Sequence, residues 1–447
     1  MTCTPNPAPA RLHPSAPLTF PVPATTADTT TSPTATPAAA IDVDALRARF
    51  PALQQQVNGH PLAYLDNAAT TQKPDAVLDT LAHYYRHDNA NVHRGVHALA
   101  ERATAAFESS RQRIARFLNA PSPDTCVFVR GATEALNLVA HSYGRSVLGP
   151  GRRVLITHME HHSNIVPWQL VCEQTGASLD VVDVTDDGEL DMDDFRAKLT
   201  TDTAIVAAVW VSNSLGTINP VQQIIDAAHD AGAVAVLDAC QAAAHLAIDV
   251  QALGCDFLAM SAHKMFGPTG IGTLYGRREL LEQMPPWQGG GEMISSVSFE
   301  TGTTYAAPPH RFEAGTPNIA DAIAFGTAVD FMGELDLPAV QAHEADLLAY
   351  GTALLADVEG LRLIGTAPPE RKAPVLAFVI DGIHPYDLAP VLDQQGVAIR
   401  TGHHCTQPLM ERYGVPATAR ASMAAYSTRA ELDQLRAGIE KAKMFFG

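Results

Sequence analysis

The chain has 447 residues, of which 46% are hydrophobic and 17% charged, and its formal net charge at pH 7 is −18. This length favours two lobes of unequal size over a single small core. The acidic surface disfavours nucleic acid as a partner, because phosphate groups would be repelled, and no apolar run approaches the roughly 18–20 residues that span a bilayer.

Residues 1–40 differ in composition from the rest of the chain and are predicted to form a disordered tail. They are mostly Pro, Thr and Ala, and their charged residues are Arg11 and Asp28. Proline interrupts helices and sheet ladders, and the stretch offers little apolar surface to bury. A secretory signal is not expected, because no basic segment precedes an apolar block, and a transit peptide is disfavoured by the low arginine content.

Six cysteines are scattered along the chain, and none of them belongs to a C-x-x-C pair. In a chain of this length, that spacing indicates reduced thiols rather than a disulfide framework. We therefore expect a cytoplasmic protein.

From about Thr125 onwards, short β-branched runs alternate with amphipathic segments. Such alternation predicts βαβ units and an α/β fold whose parallel sheet is covered on both faces. The predicted strands are 126–130, 153–157, 179–184, 204–211, 233–238, 256–260 and 272–276, and the predicted helices between them are 134–147, 193–199 and 221–231. After about Phe331 a smaller α/β lobe is expected, with helices over 339–355 and 430–446 and a strand over 374–380.

Lys264 stands in the sequence Ser-Ala-His-Lys at 261–264, directly after a predicted strand and before the glycine-containing stretch 267–270. A lysine at the carboxyl edge of a parallel sheet, among small residues, can be partly desolvated and form a Schiff base. The alternative is an ordinary exposed lysine beside a turn.

Asp238 ends the apolar strand predicted over 233–238. Ligands of such sheets bind outside the carboxyl ends of the strands, and a carboxylate there requires a cationic partner. A pyridinium nitrogen is one such partner. The alternative is a cap on the helix that begins near Gln241.

The sequence Arg-Gly-Ala-Thr-Glu-Ala at 130–135 marks a junction between a strand and a helix. The free N–H groups at the start of a helix suit a phosphate. Thr133 can also be a plain helix cap, and the two roles are compatible.

The sequence Glu-His-His-Ser-Asn at 160–164 follows another predicted strand. His161 can stack on a flat ring or move a proton. A zinc site is disfavoured because neighbouring residues point in different directions and the i, i+4 spacing of paired histidine ligands is absent.

Cys405 ends the sequence Arg-Thr-Gly-His-His-Cys at 400–405. A positive field from an arginine and histidines lowers the pKa of a thiol and makes it nucleophilic. The alternatives are a buried inert cysteine and a zinc site that would include Glu411. The polar neighbours disfavour the first, and the crowding of three consecutive ligands disfavours the second.

Taken together, these motifs resemble the class V branch of fold-type I pyridoxal-phosphate enzymes, and more narrowly the group II, SUF-type cysteine desulfurases. The resemblance runs from about Ile41 to the C-terminus. It also includes Phe-Pro at 50–51, Gly59, Pro-Leu-Ala-Tyr-Leu-Asp at 61–66, Val-His-Arg-Gly at 92–95 and Arg-Phe-Glu-Ala-Gly-Thr-Pro-Asn at 311–318. It implies a large domain over 61–331 with a mostly parallel seven-stranded sheet, and a smaller α/β domain formed by 41–60 and 332–447.

The resemblance implies pyridoxal 5′-phosphate as cofactor and assigns it a set of residues. Lys264 would form the Schiff base and move the substrate α-proton. Around the ring, Asp238 would pair with the pyridinium nitrogen, Gln241 would bond the phenolic oxygen, and His161 would stack on the ring face. The phosphate would be held by Thr133, Ser261, His263 and the backbone N–H of Ala132, and Thr316 would reach it from a second subunit. Ala132 is a departure, because the family often has a second threonine there.

The resemblance further implies L-cysteine as substrate. Asn213 and Arg420 would grip its carboxylate, Arg400 would border the cysteine loop, His93 and Arg94 would approach from a neighbouring subunit, and Cys405 would receive the sulfur as a persulfide. A small acceptor protein would take that sulfur for iron–sulfur cluster assembly. The alternatives are a selenocysteine lyase, or another class V enzyme acting on an amino acid, and a non-enzymatic sulfur carrier or metal-binding protein.

Overall fold

The computed structural model describes residues 41–446, so the predicted tail over 1–40 lies outside the described residues. The strands are β1 Gln56–Val57, β2 His60–Pro61, β3 Ala63–Tyr64, β4 Cys126–Val129, β5 Arg153–Thr157, β6 Ser178–Val182, β7 Thr203–Val209, β8 Val234–Asp238, β9 Phe257–Ser261, β10 Gly272–Gly276, β11 Ile294–Ser298, β12 Gly302–Tyr305, β13 Leu361–Ile364, β14 Val375–Ile380, β15 Val397–Ala398, β16 Arg400–Gly402 and β17 Thr418–Ser422.

The five predicted helices are present, with ends within two residues of the predicted ones. They are α1 Val43–Ala48, α2 Asp75–His83, α3 Ala98–Phe117, α4 Ala132–Val139, α5 Arg145–Val147, α6 Val166–Thr175, α7 Met192–Lys198, α8 Val221–Asp230, α9 Ala242–His245, α10 Val250–Leu253, α11 Arg278–Gln283, α12 Ile319–Gly333, α13 Leu337–Ala356, α14 Pro385–Asp393, α15 Gln407–Arg412 and α16 Arg429–Phe446. The single helix predicted over 134–147 is α4 and α5 joined by a π-helical turn, Ala140–Gly144.

Seven strands form one sheet in the order β4-β10-β9-β8-β7-β5-β6. The strands from β9 to β6 run parallel, and β10 is antiparallel to both of its neighbours. Every residue of β4, β7, β9 and β10 is buried, as expected for a sheet covered by helices on both faces. The predicted α/β class with a mostly parallel seven-stranded sheet is therefore confirmed.

A second sheet has four antiparallel strands in the order β13-β14-β17-β16. Its core residues pack with α13, α14 and α16, which supply the apolar faces that an isolated sheet would expose to water. Both sheets belong to one compact unit of the chain. The division into domains of 61–331 and of 41–60 with 332–447 stays a prediction.

The segment after β3 connects the two sheets. β3 pairs in parallel with β15 through Ala63 and Val397. Further along, the backbone N–H of Thr71 donates to the carbonyl of His263 at 3.0 Å. The segment therefore joins β15, which precedes β16 and Cys405 in the chain, to the turn that carries Lys264. Over residues 41–446, no helix combines the length and apolar character needed to cross a membrane.

Candidate active site

A polar cavity of about 220 Å³ lies at the carboxyl ends of the parallel strands, where the loop after β16 meets them. It is lined by the predicted residues Ala132, Thr133, His161, Asn213, Asp238, Ser261, His263, Lys264, Arg400, Cys405 and Arg420. It is also lined by Ala68, Ala69, Ser163, Cys240 and His404. Eleven residues from separate motifs therefore meet in one cavity, as ligand sites of such sheets do.

Four predicted residues do not line this cavity. Gln241 is buried, and its Nε2 donates to the carbonyl of Ala68 at 2.7 Å. Thr316 lines a separate cavity of about 550 Å³. His93 contacts Glu108, and Arg94 forms an ion pair with Glu292. Within the described residues of one chain, the last three residues do not reach Lys264.

Lys264 closes a short 3-10 turn, Ala262–Lys264, directly after β9. The carbonyl of the preceding residue, His263, accepts from Thr70 Oγ1 at 3.1 Å, Thr71 Oγ1 at 3.2 Å and Lys73 Nζ at 3.1 Å, in addition to the Thr71 backbone N–H. Four donors on one carbonyl fix the peptide plane before Lys264. The position of its Cα is therefore set by contacts from a segment about 190 residues away.

Asp238 ends β8 and is only 3% exposed. Its Oδ1 accepts from the backbone N–H of Cys240 at 2.9 Å, a bond within the turn before α9. The N-cap residue of α9 is Gln241, so Asp238 does not cap that helix. The Asp238 carboxylate also lines the cavity, where a cationic ligand can reach it. A buried carboxylate is stabilised by such a ligand, because charge in a low-dielectric site requires a partner.

His161 is held by the turn that follows β5. Its Nδ1 accepts from the backbone N–H of Ser163 at 3.1 Å, so we infer that the ring proton is on Nε2. Burial and the nearby charge of Lys264 lower the pKa of His161 to about 4. The ring is therefore neutral at pH 7, which suits stacking on a flat ring.

Glu160 was not predicted as a site residue, but its side chain fixes this turn. It is fully buried and accepts from Thr157 Oγ1 at 2.6 Å, Asn164 Nδ2 at 2.6 Å and the Val209 backbone N–H at 2.8 Å. Burial raises its pKa to about 8. These bonds join β5, the turn and β7, and they hold the backbone next to His161.

The start of α4 and the turn after β9 form a pocket that fits a phosphate. The backbone N–H of Ala132 donates to Ser261 Oγ at 2.9 Å, which brings the two segments together. Burial lowers the pKa of His263 to about 4, and its Nδ1 is buried without a hydrogen-bond partner among the described residues. A buried orphan nitrogen is costly, and an oxygen acceptor would satisfy it. With Thr133 at the helix start, the donors match a phosphate group.

Arg420 and Asn213 form the polar wall opposite this pocket. Arg420 Nη1 donates to the carbonyl of Asn213 at 2.8 Å, and Nη2 donates to Asp66 at 2.9 Å. Over the part of the chain that the structure describes, Arg420 Nε and Asn213 Oδ1 are buried without partners. A carboxylate is a suitable acceptor for the free guanidinium edge.

The loop that carries Cys405 is short and fixed. His404 and Cys405 have φ angles of +52° and +59°, a left-handed conformation that is costly for residues other than glycine. The backbone N–H of His162 donates to the Cys405 carbonyl at 2.7 Å, and Asn213 Nδ2 donates to the His404 carbonyl at 2.8 Å. The strained backbone is therefore held by the segments that follow β5 and β7 of the large sheet.

Cys405 differs from the other described cysteines in its accessibility. It is partly exposed, whereas Cys126, Cys172, Cys240 and Cys255 are buried. Burial raises the pKa of Cys240 to about 12, so this second thiol of the cavity stays protonated. Cys405 is therefore the described thiol best placed to react.

The imidazole of His404 contacts Thr418 on β17. Its Nε2 and Thr418 Oγ1 are 2.8 Å apart, and burial holds its pKa far below the usual range. Among residues 41–446, no group of three or more His, Cys, Asp or Glu side chains is arranged to hold a metal ion.

Several residues of the site are not among those predicted. Ala68 and Ala69 follow the quoted 61–66 motif and line the cavity, and Asp66, the last residue of that motif, contacts Arg420. Nothing in their local pattern connects them with β9 or β17. The signal that could have found Asp66 is an acidic residue near the end of a strand, because it lies two residues after β3, whereas Asp238 is the last residue of β8.

Comparison with known proteins agrees with this geometry. The sequence model of the class-V aminotransferase family matches residues 63–435. The chain is 53% identical over 405 residues to a cysteine desulfurase of Dickeya dadantii (strain 3937), covering 91% of this chain and 98% of that protein. It is 49% identical over 405 residues to a cysteine desulfurase of Pectobacterium atrosepticum, covering 91% and 99%.

Solved structures give the same result. The cysteine desulfurase CsdA (S-sulfonic acid) from Escherichia coli has a TM-score of 0.85 at 38% identity and covers 92% of this chain and 100% of its own. The apo cysteine desulfurase from Thermococcus onnurineus NA1 has a TM-score of 0.83 at 36% identity, covering 88% and 98%. The chain therefore belongs to the class-V aminotransferase family and, within it, to the pyridoxal-phosphate-dependent cysteine desulfurases.

Proposed function

We propose that this enzyme converts L-cysteine to L-alanine, keeps the sulfur as a persulfide on Cys405, and passes it to a small acceptor protein for iron–sulfur cluster assembly. The observation that carries the proposal is that Lys264, Arg420 and the partly exposed Cys405 line one cavity. We further propose that it is a group II, SUF-type cysteine desulfurase and that it works in the cytoplasm.

The cofactor, when bound, withdraws electron density from the substrate Cα. Lys264 would hold the cofactor before the substrate binds, and its released Nζ would then take the α-proton of the substrate. Arg420 would bind the substrate carboxylate, and Asn213 would first have to release its Nδ2 from the His404 carbonyl to donate to it as well. Asp238 would pair with the pyridinium nitrogen of the cofactor. The neutral His161 ring would stack on the cofactor ring. Thr133, Ser261 and His263 would hold the phosphate, and the N–H of Ala132 would join them only if it left Ser261 Oγ. Gln241 would need to turn from the Ala68 carbonyl to reach the phenolic oxygen.

The Cys405 thiolate then attacks the substrate sulfur. A new S–S bond forms as the Cβ–S bond breaks, and the electron pair of that bond stays with the carbon skeleton. Protonation of the skeleton gives L-alanine, and the sulfur remains on Cys405. Arg400 borders the loop and adds positive charge beside the thiolate.

The fixed loop determines how the sulfur leaves. The hydrogen bonds of the loop keep Cys405 close to the substrate, which favours attack through positioning. The same bonds oppose a swing of Cys405 out of the cavity. An acceptor protein must therefore come to the site, and removal of the persulfide limits the cycle.

A rapid-mixing assay tests this proposal. With L-cysteine alone, we expect a burst of one L-alanine per enzyme site, then slow turnover that a small sulfur-acceptor protein strongly stimulates. Mass spectrometry of the Cys405 peptide should show the addition of one sulfur atom after the burst. Fast turnover without any acceptor or added thiol would contradict the proposal.

We also propose a homodimer with shared active sites. Thr316, His93 and Arg94 lie outside the cavity of their own chain, which supports a role at the site of a partner. Co-expression of Lys264→Ala and Thr316→Ala chains tests it. If Thr316 acts on the partner's phosphate, each mixed dimer has one intact site, and activity should recover to roughly a quarter of wild type for random pairing.

The homodimer prediction has a clear contrary result. If Thr316 acts within its own chain, the mixed preparation contains no intact site and should be no more active than the average of its two parents. An enzyme that sediments as a fully active monomer at assay concentration would also contradict the shared site.

A further inference from the structure

Asp66 contacts the arginine to which we assign the substrate carboxylate. Arg420 is only 1% exposed, and its Nη2 donates to Asp66 Oδ1 at 2.9 Å while Nη1 donates to the carbonyl of Asn213. Nε is buried and has no partner within residues 41–446. The guanidinium is therefore held from two sides, its Nε is left without a partner among these residues, and Arg420 lines the cavity.

The backbone around Asp66 is fixed by the two strands next to the cavity. Leu65 donates its N–H to the carbonyl of Ala398 at 2.9 Å, and its own carbonyl accepts from the Ser422 N–H at 2.7 Å. Ser422 lies on β17, the strand that carries Arg420. Asp66 and Arg420 therefore start from backbones that are bonded to each other, so the position of the carboxylate is determined independently of any ligand.

Arg420 also has a like-charged neighbour. Arg400 on β16 is directly opposite Arg420 on β17 in the register of the two strands, and like charges at opposed positions repel. Burial raises the pKa of the Asp66 carboxyl, and the Arg420 guanidinium opposes that rise. Before substrate binds, the Arg420 guanidinium is therefore already paired with the Asp66 carboxylate through Nη2, and its Nε has no partner among the described residues.

We propose that Asp66 is a positioning residue for substrate recognition, which orients the Arg420 guanidinium so that its free edge receives the carboxylate of an α-amino acid. The inference rests on the role of Arg420 in the proposed function. Asp66 would thereby favour ligands that have a free α-carboxylate, and it would take no part in breaking the carbon–sulfur bond.

The role depends on the place of the acceptor oxygen more than on its charge. An Asp66→Asn variant keeps an oxygen at the same distance from Nη2. An Asp66→Glu variant keeps the charge but adds one methylene, which moves the oxygen and turns the guanidinium. The side chain of Asp66 is 24% exposed, so the longer residue can be accommodated, and both variants keep a partner for the buried arginine.

Spectral titration of the cofactor-loaded protein tests the proposal with L-alanine, which has the carboxylate, and L-alaninamide, which lacks it. For Asp66→Glu, we expect the Kd of L-alanine to rise about tenfold or more, the size of one lost charge-assisted hydrogen bond. The Kd of L-alaninamide should not change. For Asp66→Asn, both values should stay close to those of the wild type.

Three results would overturn the role of Asp66: an unchanged Kd of L-alanine in Asp66→Glu, equal weakening of both ligands in that variant, or loss of L-alanine binding in Asp66→Asn but not in Asp66→Glu. The last pattern would mean that charge alone matters. A wild-type protein that bound neither ligand would instead contradict the proposed amino-acid site, and the inference with it.

Discussion

The Lys264→Ala variant should lose both covalent attachment of the cofactor and all measurable turnover. Lys264 Nζ is the amine of the cavity that can bond the cofactor and move the α-proton, and the four donors on the His263 carbonyl place it there. Activity should fall by several orders of magnitude, because the same group serves binding and proton transfer. Absorbance of the purified protein and L-alanine production measure the two losses.

Borohydride reduction locates the attachment point directly. In the wild type, the reduced cofactor should be found on the peptide that contains Lys264. A Lys198→Ala variant is the matched control, because Lys198 is bonded to Asp194 on the surface helix α7 and should label and turn over normally. A yellow, active Lys264→Ala protein would contradict the assignment.

The Cys405→Ser variant should keep the cofactor absorbance but lose the alanine burst and the persulfide. Serine has nearly the shape of cysteine, so the strained loop and its bonds to the His162 N–H and to Asn213 should persist. An alcohol does not take up sulfur to form an S–S bond. We expect desulfuration of L-cysteine to fall by at least about a hundredfold, the scale associated with loss of a nucleophile.

The same variant separates sulfur from selenium chemistry. Selenium leaves carbon readily, so a selenocysteine lyase would keep most of its activity on selenocysteine without Cys405. Cys172→Ala is the matched control, because Cys172 is buried in α6 outside the cavity and its loss should leave the burst intact. Full L-cysteine desulfuration by Cys405→Ser would refute the proposed nucleophile.

Two neutral histidines border the reacting groups, and the structure explains why they carry no charge. Burial lowers the pKa of both His161 and His263 to about 4, with Lys264 as a further cause. At pH 7 these two imidazoles therefore add no positive charge to the cavity. The positive field expected from the histidines next to Cys405 does not extend to His404, because burial keeps that imidazole neutral at pH 7.

Local sequence was sufficient for the strands of the large sheet. The seven predicted strands and the three helices predicted between them agree with the structure to within two residues at each end, apart from the π-helical turn inside the helix predicted over 134–147. The helices α3, α6 and α12 were not predicted. Buried parallel strands are continuous apolar runs, and a run of this kind can be recognised from a few consecutive residues.

The shorter strands were not predictable in the same way. β3 and β15 have two residues each, and they pair across more than 330 positions of the chain through Ala63 and Val397. A two-residue strand has no periodicity of its own, because its conformation is set by its partner. The hairpin of β11 and β12 was also missed, since its residues are exposed and largely polar.

The sequence by itself determined which chemical groups this protein has: a lysine and an aspartate after apolar strands, a helix start suited to phosphate, and a cysteine among basic residues. Only the tertiary structure decided which of them meet. The pairing of Asp66 with Arg420 spans 354 residues, and the left-handed backbone at Cys405 is held by Asn213 and by the turn after β5. These contacts depend on how distant elements pack, and local propensity carries no information about that packing.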